Sequence, residues 1–283
     1  MAEKYVFCKG KLLVKVFFIM MLAVSLMAPI YASGESWYKL SDKVTALNKE
    51  GRYKEAMPIA EEVLRRGEEL FGAEHPNVAL ALNDLGMLYQ IQHKYTQAEA
   101  FLKRALAIYE KRYGKYDRHL SPVLNNLAAI YDEQHKYPEA EELYNLSFLI
   151  DVKNYGEGHI RVAVALSNIA VLYCKQGRYA EAEGLIKRAI VIKEKKLGED
   201  NPELGVSIWN LAKIYDHQGK YAQAEPLYKR TLSIYEKAFG KDHPRIASTL
   251  RVMIKLYNKI GKQDEAKRLE QRLKEINTKN EKK

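Results

Sequence analysis

A period of 42 residues runs through this chain with no insertion or deletion. The phrase Gly-basic-Tyr-x-x-Ala reads Gly51-Arg52-Tyr53 with Ala56, then His93-Lys94-Tyr95 with Ala98, then His135-Lys136-Tyr137 with Ala140. It continues as Gly177-Arg178-Tyr179 with Ala182 and Gly219-Lys220-Tyr221 with Ala224, and fades at Gly261-Lys262-Gln263 with Ala266. A period in the range of about 20–50 residues folds as a stack of one supersecondary unit, because a single unit cannot bury its own apolar face. Stacks of this kind serve mainly to bind other proteins, which points to a scaffold rather than an enzyme.

Each period holds two helical patterns. Leu82, Leu85, Gly86 and Tyr89 fall at i, i+3, i+4 and i+7, the apolar stripe of a first helix. After a turn at His93-Lys94, Ala98, Phe101, Leu102, Ala105, Leu106 and Ile108 mark a second amphipathic helix. Gly114 is expected to close it in the left-handed cap conformation, as are Gly72, Gly156, Gly198 and Gly240 in their units. Leu82 recurs as Leu124, Leu166, Ile208 and Leu250, and Tyr89 as Tyr131, Tyr173, Tyr215 and Tyr257, so these columns are predicted core. Pro76, Pro202 and Pro244 precede or open first helices, and Ser121-Pro122 reads as a cap followed by a first helical residue.

The ends depart from the repeat, as capping units do. The first unit starts near Glu35, with Trp37, Leu40, Val44 and Leu47 on one face. The last helix puts Glu270, Arg272, Lys274 and Glu275 outward, and the polar tail Asn277 to Lys283 is expected to fray.

The first 32 residues stand apart. Lys4, Lys9, Lys11 and Lys15 lead into the uncharged run Val16 to Ile30, then Tyr31-Ala32, the layout of a secretory signal peptide. That run covers only about 22 Å as a helix, short of the roughly 30 Å hydrocarbon core, although extension back to Leu12 with a snorkelling Lys15 would make it a membrane anchor. Cleavage would take four lysines and Glu3 away and lower the net charge from +10 to +7. Export makes a periplasmic or extracellular place the expectation and argues against a nucleic-acid partner. A membrane partner is expected only if the segment stays uncleaved. Cys8 would leave with it, and Cys174 alone makes no internal disulfide.

The string Leu82-x-x-Leu85-Gly86-x-x-Tyr89 with Ala98 downstream resembles the tetratricopeptide repeat signature. The long second helix and the Phe-Gly-x-x-His-Pro turn, kept at Phe71 to Pro76 and Phe239 to Pro244, resemble the 42-residue kinesin-light-chain variety. The resemblance covers residues 35–276 and implies a right-handed α-α superhelical solenoid of six helix-turn-helix units, all-α throughout. It also implies a concave face lined by the first helices, where a peptide or partner helix lies.

On that face the resemblance singles out Asp84, Asn126, Asn168 and Asn210 as a ladder whose amides offer donor and acceptor to a ligand backbone. The competing role is to bond across to the neighbouring helix and hold the repeats together. Asn83, Asn125, Ser167 and Trp209 form a flanking column in which Trp209 is either a contact anchor or a packing residue. Lys175 and Lys213, with Lys255 and Lys259, cluster towards the C-terminal half and suggest a partner bearing a carboxylate or an acidic segment; a solvated lysine face is the alternative. Cys174 is either a reactive thiol or a tolerated substitution in a polar column.

Catalysis finds no motif. There is no His-Glu-x-x-His, Gly-x-Ser-x-Gly, Cys-x-x-Cys or phosphate-binding glycine loop, so no catalytic residue, metal or cofactor is expected. The expected function is an exported, non-enzymatic scaffold holding a partner protein segment. The alternative is a structural homo-oligomeric spacer or membrane-anchored assembly factor of the cell envelope.

Overall fold

A computed structural model describes residues 36–281, and among them every regular element is a helix. They fall into two compact units divided between Lys115 and Tyr116. The first holds α1 (36–49), α2 (Tyr53–Phe71), α3 (Pro76–Ile91) and α4 (Tyr95–Tyr113). The second holds α5 (Leu120–Glu133), α6 (Tyr137–Tyr155), α7 (Ile160–Lys175), α8 (Tyr179–Leu197), α9 (Pro202–His217), α10 (Tyr221–Phe239), α11 (Pro244–Lys259) and α12 (Gln263–Glu281). Each unit is therefore a stack of helix pairs, with the odd-numbered helices the first and the even-numbered the second of each repeat.

The repeated alanine packs where two helices meet. Ala56, Ala98, Ala140, Ala182, Ala224 and Ala266 are all buried, as are Leu124, Leu166, Ile208 and Leu250 in the second unit. Gly86 packs closer still: a Cβ there would lie 2.6 Å from Leu102 Cγ, so any larger residue would force Leu102 to move. Burial of an aliphatic side chain at such a column contributes about 1.5–3 kcal/mol.

The basic residue of the repeated phrase also has a role, one the spacing did not reveal. It lies over the ring of the preceding first-helix tyrosine: Lys136 over Tyr131 at 5.5 Å, Arg178 over Tyr173 at 3.6 Å, and Lys220 over Tyr215 at 5.5 Å. The tyrosine hydroxyls then donate to a glutamate of the preceding second helix, Tyr173 to Glu141 at 2.8 Å and Tyr215 to Glu183 at 3.1 Å. Arg178 and Lys220 bond to those same glutamates, so one basic–aromatic–acid cluster ties each repeat to the one before.

Four sequence expectations are corrected. The residues after the second helices do take positive φ, but with extended ψ; Gly114 has φ 86° and ψ 164°, outside the left-handed helical cap and in a region open essentially to glycine alone. Ser121 is not a cap. The N-cap of α5 is His119, which makes no side-chain cap bond, while Asp117, in register with the caps His75, His159, Asn201 and His243 of α3, α7, α9 and α11, accepts from the His119 N–H at 2.9 Å in the turn before the helix. Ser121 is instead buried, its hydroxyl 2.9 Å from that of Ser147.

Nor does the chain fray at Asn277. Helix α12 runs to Glu281 because Lys279 pairs with Asp242 at 3.1 Å and Asn280 donates to the Asp242 carbonyl. Arg272, expected to point outward, turns back to Glu236 on α10. The N-terminal charged and apolar segments lie outside the described residues. No described helix is long and apolar enough to cross a membrane.

Candidate peptide groove on the first helices

Residues spaced i, i+4, i+7 and i+11 share one face of a helix. On α7 these are Val164, Asn168, Val171 and Lys175; on α9 they are Val206, Asn210, Lys213 and His217. Val164 and Val206 are 39% and 36% exposed, which adds an apolar row one helical turn before the asparagines. Sequence reasoning missed this row. Its signal was an aliphatic residue four positions before each asparagine.

Between α7 and α9 lies a cleft of about 300 Å³ lined by Ala170, Val171, Cys174, Lys175, Tyr179, Asn210, Lys213, Ile214 and His217. Tyr179 and His217 form one wall, their rings stacked 5.5 Å apart and 7° from parallel. Burial pushes the Cys174 thiol up, an effect the nearby Lys213 ammonium partly offsets. A thiol held protonated in this way is a weak nucleophile. Behind the cleft, burial raises the Tyr228 hydroxyl, reinforced by the charge of Asp216, and that hydroxyl has no hydrogen-bond partner among the described residues.

The structure separates the asparagines and lysines that the sequence grouped. Asn168 Nδ2 donates to Asn125 Oδ1 at 3.3 Å, linking α7 to α5. Asn125 itself donates to the Ser121 carbonyl and to Ser147 Oγ, so it faces the interior with Ser167, whose hydroxyl bonds the Ala163 carbonyl. The flanking column is thus an inter-helix column. Trp209 also packs against the apolar core, with Lys213 Nζ 4.7 Å from its ring centre. Asn126 sits half-buried on α5, and Asn210 makes no side-chain hydrogen bond among the described residues.

Lys175 and Lys259 are already engaged. Lys175 Nζ reaches Asp132 at 2.8 Å and Glu133 at 3.5 Å, and Lys259 reaches Asp216 at 2.9 Å. Lys213 has no carboxylate partner among the described residues, which makes it the cation of the cleft that a ligand can reach.

In the first unit, α3 presents Leu80, Asp84, Met87 and Ile91 at the same spacing. Burial pushes the Asp84 carboxyl up to about 6, against a hydrogen bond from Asn83 that pulls it down. Among the described residues, no group of three or more histidine, cysteine or acidic side chains is placed to hold a metal ion.

Comparison with known proteins agrees with this architecture. The tetratricopeptide repeat profile matches residues 39–111, 119–195, 161–237 and 206–279. BtubC (BKLC) of P. vanneervenii is similar in structure, with a TM-score of 0.67 and 20% identity over 86% of this chain and 92% of that one. A Podosopora anserina putative kinesin light chain with nearly identical TPR-like repeats gives 0.57 and 22% over 71% and 95%. A Rap protein complexed with competence and sporulation factor gives 0.63 and 18% over 86% and 75%. At these identities the likeness is one of fold. No curated protein matches the sequence. With most of its length in profile matches and every described element in helix pairs of that pattern, the chain belongs to the tetratricopeptide repeat family.

Proposed function

We propose that this protein is an exported, non-enzymatic scaffold that holds an extended segment of a partner protein along the first helices of its second unit. The observation that carries the reading is the α7–α9 cleft, where among the described residues Asn210 makes no side-chain hydrogen bond and Lys213, beside the Trp209 ring, has no carboxylate partner. Asn210 offers a donor and an acceptor to a peptide bond, and Lys213 meets a carboxylate of the same segment. The Rap relative, solved with competence and sporulation factor, supports the idea that helix stacks of this kind hold a bound partner. The charged leader and apolar run at the N-terminus support export.

Crosslinked capture from the native envelope tests both parts. Full-length wild type is compared with Asn210→Ala/Lys213→Glu, a change that leaves the Asn125–Asn168 link intact. Partners retained by wild type and lost from the variant are the expected result. Identical catches would remove binding from this face, and recovery of the protein from the cytoplasm would remove export.

A further inference from the structure

The even-numbered helices carry a lysine ladder of their own. Lys237 pairs with Asp200 at 2.7 Å and Lys279 with Asp242 at 3.1 Å, each reaching 37 residues back to the turn before a first helix. Lys111 pairs with Glu74 in the same way within the first unit. The ladder lacks its acid at Lys153, which lies 4.9 Å over the Tyr116 ring, and at Lys195, where Gly158 stands at the acidic position. Lys195 and the adjacent Lys196 have no carboxylate partner among the described residues. Glu157, which lines the same depression as both lysines, is paired with Arg188 at 3.2 Å.

One turn before Lys195 on α8 is Val191, 64% exposed, and on α6 Leu149 is 57% exposed; they are the two most exposed large aliphatic side chains of the described residues. They hold the same position on α6 and α8. Other repeats place Arg65, Ala107, Ser233 and Glu275 there, all exposed, so the fold makes no demand for an apolar residue at that point. Val191, Ile192, Lys195 and Lys196 also line a depression of about 340 Å³ against Tyr155 and the turn that follows it.

We propose that this outer face of α6 and α8 is a second docking surface, which takes an acidic segment of a partner protein that also carries an aliphatic or aromatic side chain. The two uncompensated ammonium groups select the partner's carboxylates, and Leu149 and Val191 gain the burial that the fold denies them. The surface is independent of the first-helix cleft, so a partner can be held at both.

A display library of random 12-residue peptides selected on the full-length protein tests this. The expected peptides combine Asp or Glu with Leu, Ile or Phe. Their affinity falls about tenfold or more on Lys195→Glu/Lys196→Glu and on Val191→Asp, and is unchanged on Asn210→Ala/Lys213→Glu. Charge at position 191 is compatible with folding, since Arg65 and Glu275 hold its place in other repeats; circular dichroism of each variant checks this. Enrichment only of peptides that ignore Lys195, Lys196 and Val191 overturns the proposal. So does a dimer that Val191→Asp converts to monomer in sedimentation, because the face would then be covered by a second copy.

Discussion

His217 follows Cys174 by 43 residues, the separation at which Lys175 bonds Asp132 and Lys259 bonds Asp216. One rung of an ion-pair ladder has therefore been replaced by an imidazole and a thiol, and both replacements line the cleft between α7 and α9. A ladder that would otherwise brace the first helices is open at this rung.

Restoring the rung should close the site. Cys174→Asp with His217→Lys is expected to stabilise the fold by about 0.5–1 kcal/mol, the scale of a partly exposed ion pair. A double-mutant cycle from denaturant unfolding measures the coupling. The same pair of changes should weaken capture of any partner that depends on Asn210.

Asp84 occupies the column that is asparagine in the next three repeats. Its native carboxyl titrates near 6, above the value in an unfolded chain. From about pH 4 to 6 the unfolded state loses this proton first, so native stability declines as pH rises, and above 6 the penalty is constant. Asp84→Asn should then stabilise the protein at pH 7 by about 1–2 kcal/mol, discounted for partial exposure, and flatten this part of the profile. Melting temperatures of both proteins across pH 4–8 decide it.

Backbone strain separates two kinds of turn residue. Gly156 has φ 82° and ψ 157° with open space where a Cβ would go, so Gly156→Ala is a test of conformation alone and should cost about 1–3 kcal/mol. His135, at φ 59°, holds a left-handed position that is glycine in other repeats. His135→Gly should gain about 0.5–1 kcal/mol, the relief of strain exceeding the loss of its Nδ1 contact to the Tyr137 hydroxyl. Chemical denaturation of the two variants should give opposite signs.

Ala182 is fully buried between α7 and α8. Ala182→Leu adds three carbon atoms with no space to receive them, and overpacking of this kind costs about 1–3 kcal/mol or more. In a stacked array the damage is local, because each repeat depends on its neighbours. Hydrogen exchange should show lost protection in α7 and α8 before α11 and α12. An unchanged melting temperature would refute the packing argument.

Period, helix pairing and the buried alanine column were legible in the sequence because each depends on spacing along the chain. The glycine and tyrosine columns were legible for the same reason, although not the backbone angles of Gly114 or the ring–cation contact of Tyr173 and Arg178. Which polar residues are free was not legible. Asn168 and Asn210 are the same residue at the same repeat position, yet one bonds to Asn125 and the other faces a cleft. Lys175 and Lys213 stand in different columns of the repeat, and of the two it is Lys175 that meets an acid, Asp132, 43 residues back on the neighbouring first helix. The sequence by itself determined an α-helical repeat protein, since apolar periodicity is a local property that each unit states again. Tertiary structure alone decided which side chains remain available to a partner, because a hydrogen bond between repeats depends on the distance between helices that only packing sets.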